Sequence, residues 1–443
     1  MQNRLFGYLL FPLLVLFLSA RKPANDFKSF VIEFVSLYNQ AGFPEIDYDY
    51  HGYFETIPKM ETLNEHEAFF QKTKENLGKY NRSKLNTEDQ TIYDHIEYET
   101  DFSLERIALE KEWVSDGRNI PENGLHSLKN HKAWYKFFIK RYTSTGRTPE
   151  EIFDMGKAEV FKVKREIKKI QDASGYKDSL AFYTYLKSDK FQHTDKNKII
   201  KEFEKIDSTV RANMNGFFGK LQLPKVYPME WPNANAFTPP GMYLNHSGNA
   251  FGKDVFQFNF YGQKYNARAM EWLYMHEAIP GHHLQSVFRQ VKPGTVQSIF
   301  LYPGNFEGWA CHMEYFGKDF GLYNDAYSYL GKWEWDLVRS ARLVIDAGIH
   351  YYGWTKAEAL KYWKETIPGQ DEIAEREVTR VTNWCAQALS YKVGSGFIDD
   401  MKIEWMNRNP KKKQRDFYLA YLKSGNIPLL VMYKRLIGEQ ESK

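Results

Sequence analysis

The segment Met275-His276-Glu277-Ala278-Ile279-Pro280-Gly281-His282-His283 sets the tightest limit on how this chain can fold. It places imidazoles on both sides of a Pro-Gly pair, with a carboxylate beside the first. A second carboxylate follows in Glu307-Gly308-Trp309-Ala310. Two neutral imidazoles, an anionic third ligand and a base for water are the parts of a zinc hydrolase centre. The usual helical form is H-E-x-x-H, with the histidines one turn apart; here the second histidine comes two residues late. On an unbroken helix a residue six positions on from His276 lies about 240° round the axis, on the wrong face. His283, seven positions on, regains the face but stands about 10 Å further along. Pro280 lacks the N–H a helix needs, and its ring clashes with the carbonyl four residues back, that of His276. Gly281 tolerates the distorted dihedrals that follow. A break at Ile279-Pro280-Gly281 therefore absorbs the two residues and returns His282 to the position of a second ligand, with His283 in reserve. Four of these nine residues are His or Glu in a chain with twelve His, which an ordinary turn does not account for.

At 443 residues, 43% apolar and 16% aromatic, the chain is long enough for a large core. A net charge of +4 is small for this length and argues neither for nor against nucleic acid; with no basic stripe interleaved with aromatics, no nucleic-acid partner is expected. Lys411-Lys412-Lys413 reads as a solvated surface. The first twenty residues stand apart. Arg4 precedes an apolar run from Leu5 to Leu18 that ends in Ser19-Ala20 before Arg21-Lys22, the layout of a secretory signal peptide over 1–20. The run is short for a membrane span of about 20 apolar residues, so no stable span is expected once the signal is removed. An exported location, periplasmic or secreted, follows, with an uncleaved N-terminal anchor as the alternative. Cys311 and Cys385 are the two cysteines; they either pair, as an oxidising compartment permits, or stand as two buried thiols.

Helical spacing dominates. Apolar positions predict a helix over Phe27 to Tyr38, and Asn86-Thr87-Glu88-Asp89 opens another that runs to about Trp113. Thr148-Pro149-Glu150-Glu151 combines an N-cap, a first-turn proline and a capping-box Glu, opening a helix to about Ile170. A Lys/Glu-rich helix follows over about Asp195 to Phe218. Between Leu221 and Phe260, Gly241-Met242-Tyr243-Leu244 and Val255 to Phe260 read as a small hairpin that either aligns an extended substrate along its edge or closes the cleft. Helices return through Glu307 to Tyr315, Tyr327 to His350, Lys356 to Thr366, Asp371 to Tyr391, Phe397 to Arg408, Arg415 to Lys423 and Pro428 to Glu439. Without repeats or a Gly/Ser linker, 21–443 reads as a single, mainly α domain. Residues 21–220 form a helical cleft wall and 221–443 the metal-site half.

The chain resembles the bacterial family catalogued as domain of unknown function 885. That family is regarded as metallopeptidase-like and distantly similar to the gluzincin oligopeptidases and carboxypeptidases. Four ordered segments carry the resemblance: His276 to Gln285, Glu307 to Ala310, Arg342 to His350 and Gln387 to Gly394. It implies a large helical metallopeptidase-like domain with the small hairpin beside the active-site cleft. Aligning Gly281-His282 with the Gly-His of the oligopeptidase helix also implies His282 as second ligand. The chain departs from the family at Cys311, where an aliphatic residue is common, at Cys385, where proline is, and at Phe417-Tyr418, where a Phe-His pair is usual.

The site expected is one zinc ion held by His276, His282 and Glu307, with Glu277 as general base. Glu314, seven residues after Glu307 on the same face, is either an orienting carboxylate for a ligand imidazole or a plain ion pair. Tyr391, His350 and Lys392 are candidate donors to the oxyanion, Tyr391 preferred. His283, Arg380 and Lys392 are candidates to bind substrate, the two cations through a peptide carboxylate. Arg342 and Asp346, four apart, are expected to pair with each other. The activity expected is zinc-dependent hydrolysis of peptide bonds in short peptides. A zinc hydrolase of another amide or ester, or a non-catalytic metal- or peptide-binding protein, are the alternatives.

Overall fold

The structure, a computed structural model, describes residues 26–44, 46, 49–289 and 292–438. The apolar leader and its cleavage point lie outside these residues. Among the described residues no helix is long and apolar enough to cross a membrane.

Where the sequence suggested one domain, the chain divides into two compact units. The smaller contains the helices Phe27–Ala41, Met60–Leu77 and Thr87–Ser115, together with Pro293–Ile299. Asn86 caps the last of these helices by accepting from the Asp89 amide at 3.0 Å. Aromatic contacts such as Phe34 with Phe69 and Phe43 with Phe70 fill its interior. Met60–Leu77, eighteen residues long, is a helix that the sequence reading passed over.

The larger unit contains Ile46–Glu55, Asn119–Lys292 and the chain from Phe300 onward. Its core surrounds the helix Ala326–His350, which is buried along nearly its whole length. One side of this helix is apolar: Leu330, Trp333, Leu337, Val338, Ala341, Ile345 and Ile349 pack on Val160, Val163 and Ile167 of Pro149–Ala173 and on Trp363 of Lys356–Thr366. The other side is a stripe of charge, Lys332, Asp336, Arg339, Arg342, Asp346 and His350, recurring at the helical period and also buried. Such a stripe normally faces water. Here each member has a partner inside the protein, because a buried unpaired charge costs several kcal/mol.

Those partners correct three expectations. Arg342 does not pair with Asp346; it donates from Nε and Nη2 to Glu377 Oε2, at 2.9 and 2.5 Å. Asp346 instead accepts from the Tyr135 hydroxyl at 2.7 Å and from the Ala386 amide. His350 has both ring nitrogens committed to main chain: Nδ1 accepts from the Leu125 amide at 3.1 Å and Nε2 donates to the Val381 carbonyl at 3.0 Å. Burial holds its pKa down at about 4, so it is neutral and has no proton to offer an oxyanion. Lys392 donates to Glu159, Tyr315 and Asp336 at 2.7–2.8 Å. Its three N–H bonds are spent, and it is neither an oxyanion donor nor a carboxylate binder. Cys311 and Cys385 are two free, buried thiols.

The helix expected over Asp371 to Tyr391 is broken. A short 3-10 turn Asp371–Ile373 leads into Ala374–Asn383, and a new helix, Leu389–Arg408, starts six residues later. The break lies at Ala386, whose φ is +62° and whose amide is taken by Asp346. The β-structure is larger than the hairpin expected. Strand β1 (Gln192–His193) pairs with β5 (Tyr265–Asn266). A three-stranded sheet has the order β2 (Tyr227–Glu230), β4 (Val255–Phe258), β3 (Gly241–Leu244). The β3–β4 hairpin is antiparallel, with Tyr243 opposite Phe256, and β2 adds in parallel to β4. All four residues of β4 are buried, and Phe256 packs against Phe203 and Tyr274. The sheet is thereby seated on Lys196–Asn213 and Met270–Glu277, leaving β3 as a free edge.

Asp346 supplies a pH test of this core. Burial lifts its pKa to about 8, against the pull of the Tyr135 and Ala386 hydrogen bonds. An unfolded aspartate ionises near 4, so the native state keeps a proton that the unfolded chain loses. The stability involved is full below about pH 4 and is lost as the pH rises through about 8. Asp346→Asn, uncharged throughout, should therefore gain on the wild type between pH 5 and 8.5 in urea midpoints; a pH-independent difference would contradict the assignment.

Candidate metal centre

The helix Met270–Glu277 ends at the Pro-Gly pair, and His282–Arg289 begins directly after it. Across the break the Ala278 amide still donates to the Tyr274 carbonyl (2.8 Å), while the His283 amide reaches back to the Ala278 carbonyl (3.0 Å). A Cβ at Gly281 would overlap the carbonyl oxygens of Met275 and His276, so the close return of the chain here requires glycine. The Pro280 carbonyl accepts from the Trp309 indole at 2.9 Å. Trp309 is two residues beyond Glu307 on the helix Pro303–Glu314, so one bond ties the break to the helix that carries Glu307. That helix meets Leu389–Arg408 at Gly308 and Gly394, where a Cβ on Gly308 would lie 2.6 Å from the Gly394 backbone. The close crossing brings Tyr391 up to the same place.

The structure brings His276, His282 and Glu307 together. One donor atom from each lies within 4.8 Å of the others. The His276 and His282 rings stand nearly perpendicular with centroids 4.7 Å apart, and both Nε2 atoms face Glu307 Oε2, at 3.2 and 3.4 Å. Behind His276, Nδ1 lies 2.7 Å from Glu314 Oε1 and 3.4 Å from Arg339 Nη2. Two donors cannot share that contact. The shorter one assigns the proton to Nδ1, donated to Glu314, with Arg339 pairing to Glu314 Oε2 through Nη1 at 2.7 Å. With Nδ1 committed to Glu314, Nε2 is the nitrogen that faces Glu307, and it would present its lone pair to a metal ion once its own proton is displaced.

Electrostatics at the cluster favour a cation. Burial alone would keep His276 neutral, yet the hydrogen bonds to Glu307 and Glu314 outweigh it and lift its pKa to about 9. Burial likewise opposes ionisation of Glu307 and Glu314. Glu307 is held well below the usual carboxylate range by His276 and His282, and Glu314 is lowered by Arg339 and His276. The two imidazoles and the carboxylate are a donor set that suits a metal ion.

Around this cluster, Glu277 is nearly buried and accepts from the Tyr243 amide at 2.9 Å, so the free edge of β3 addresses it directly. Tyr391 stacks beside His276, ring centroids 6.1 Å apart, with the Arg380 guanidinium 6.0 Å from its own ring centroid. Arg380 lies over Trp384, donates from Nη2 to Gln387 at 2.8 Å and has a buried Nε without a partner in the structure. His283 is not at the cluster. It is fully buried between the Tyr243 hydroxyl and the Pro224 carbonyl, 3.2 Å from each, and so fastens β3 to His282–Arg289 rather than meeting substrate. Sequence reasoning missed Arg339 and the Tyr243 amide. The first left a trace in the charged stripe of Ala326–His350; the second, a main-chain group, left none.

Glu314→Gln should keep the fold and lower zinc affinity by about 10–100-fold, measured by competition with a chromophoric chelator. Wild-type affinity in this variant would mean that Glu314 does not orient His276.

No curated protein matches the chain. Among solved structures it is similar to a candidate lipoprotein of Colwellia psychrerythraea, with TM-score 0.66 and 20% identity over 93% of this chain and 74% of that one. It is also similar to a candidate lipoprotein of unknown function from Shewanella oneidensis, with TM-score 0.72 and 15% identity over 93% and 99%. Trypanosoma cruzi metallocarboxypeptidase 1 aligns at TM-score 0.47 and 11% identity over 94% and 96%. The first two share the fold. Residues 121–436 match the family described as bacterial protein of unknown function, DUF885. The match takes in the broken helix, the Glu307 helix and the charged helix that supports them, and the chain belongs to that family.

Proposed function

We propose that this chain is an exported zinc peptidase that hydrolyses peptide bonds in short peptides. The observation that carries the reading is the meeting of His276, His282 and Glu307 beside a carboxylate, Glu277, that is hydrogen bonded to a free strand edge. A zinc ion held by those three residues would supply Lewis acidity toward water and toward the scissile carbonyl. Glu277, next in sequence to the first ligand, would take a proton from the attacking water and pass it to the leaving amine. Its hydrogen bond from the Tyr243 amide orients the carboxylate for that exchange.

The other side chains divide the remaining tasks. The Tyr391 hydroxyl, beside His276, donates to the oxygen that gains charge when the carbonyl is attacked. Arg380, with an unpaired Nε, holds a carboxylate of the peptide. The unpaired edge of β3 offers main-chain groups to an extended substrate. Peptide is the partner this arrangement suits; nucleic acid is not.

Two variants and a chelator test the reading. Purified protein should contain about one zinc per chain and cleave a mixed peptide pool, and chelation should stop cleavage until zinc is returned. Glu277→Gln should retain the zinc and lose about 10²–10⁴ in kcat. Full activity in that variant, or a metal-free active protein, defeats the mechanism. Tyr391→Phe should lower kcat by about 10²–10³ with little change in zinc content; an unchanged kcat removes Tyr391 from the oxyanion role.

A further inference from the structure

We infer that the cavity beside the metal helix is the pocket for an aromatic side chain of the peptide, two or three residues from the bond that is cut. This rests on the peptidase reading above. The cavity measures about 300 Å³, the lower end of the range for small-ligand sites. Its walls include Trp272, Trp335, Tyr183, Leu186 and Pro240.

Two of these residues place it relative to the reaction. Trp272 precedes His276 by four on the helix Met270–Glu277, so it lies on the same face one turn away. Pro240 immediately precedes β3, three residues before the Tyr243 amide that reaches Glu277. At about 3.3 Å per residue along a strand, that is about 10 Å, or two to three residues of an extended peptide following the β3 edge. The wall is also mechanically joined to the ligand set. The Arg339 guanidinium that pairs with Glu314 lies over the Trp272 ring at 5.4 Å.

The chemistry of the lining selects the occupant. Each of its four charged side chains is already paired. Arg268 gives Nε and Nη2 to Glu334 and Nη1 to the Leu186 carbonyl, and Lys187 meets Glu372 at 3.3 Å. A charged side chain would have to break one of these pairs to be satisfied. An uncharged ring would not, and it would meet a stacked indole pair, Trp272 and Trp335, with centroids 5.3 Å apart and planes at 15°. Aromatic groups pack favourably against such surfaces, edge to face or offset.

Two readouts test the inference. In the first, zinc-loaded protein digests peptides that differ only by Phe, Trp, Ala, Lys or Glu at each position flanking the bond. At one position two or three residues away, kcat/KM should be at least about tenfold higher for Phe or Trp than for Ala. Ala269→Leu, which fills the cavity from its lining, should abolish that preference and leave the alanine peptide cleaved at the wild-type rate. In the second, calorimetry on the full chain carrying Glu277→Gln compares a blocked tripeptide with central phenylalanine against the all-alanine tripeptide. The phenylalanine peptide should bind more tightly, and Ala269→Leu should remove the difference. Should Ala269→Leu fail to fold by thermal melting, Trp335→Ala, which removes a wall, takes its place and should weaken the same binding. Equal handling of Phe and Ala at every position, or a preference that survives both variants, overturns the inference and leaves the peptidase reading standing. If no peptide is cleaved at all, the peptidase reading falls; a phenylalanine advantage in binding that the variants erase then still supports the pocket, and no advantage overturns it.

Discussion

The chain of contacts from Arg339 through Glu314 to His276 is the interaction on which the site depends. A carboxylate and an imidazole inside a protein are costly to desolvate, and an isolated one would neutralise or draw in water. Arg339 resolves this by holding Glu314 ionised at 2.7 Å, and Glu314 in turn fixes the proton on His276 Nδ1. Nε2 is then left to face His282 and Glu307. The guanidinium is planar and always charged, so the geometry it imposes does not vary with ordinary pH.

The rest of the larger unit is arranged to bury that chain with its charges paired. The helix Ala326–His350 carries an apolar side that joins the core and a charged side that would otherwise face solvent. Glu314, Glu377, Lys392 and Tyr135 come from four other helices to satisfy that charged side, and Glu159 pairs in turn with Lys392. Close helix crossings make this possible. At Gly308 and Gly394 the backbones approach to contact distance, so Glu307 and Tyr391 converge from different helices. The Trp309–Pro280 bond then sets the helix break at a fixed distance from Glu307.

Much of this was legible locally. The capping box of Thr148 and Glu151, the Asn86 cap and the hairpin strands Gly241–Leu244 and Val255–Phe258 depend on neighbours a few residues away, and all form. The break at Pro280-Gly281 was legible for the same reason: proline and glycine act on their own turn. The readings that failed involve residues whose partners lie far along the chain. His350, His283 and Lys392 have the chemistry of site residues, yet they are consumed by Leu125 and Val381, by Tyr243 and Pro224, and by Glu159, Tyr315 and Asp336. The break at Ala386 has no glycine or proline at its centre, and a carboxylate forty residues upstream holds it.

By itself the sequence determined the helical character of the chain, the kink between two candidate ligands, and a donor set of two imidazoles and a carboxylate. These follow from dihedral preferences, side-chain pKa values and residue chemistry, which act over a turn or two. Only the tertiary structure decided which side of Ala326–His350 is buried and which charges are spent on one another. It also decided which polar residues stand around the cluster, Glu277, Tyr391 and Arg380 among them. A charged stripe reads the same whether it meets water or buried partners, and the free energy that separates those outcomes comes from desolvation and pairing between groups that only folding brings together.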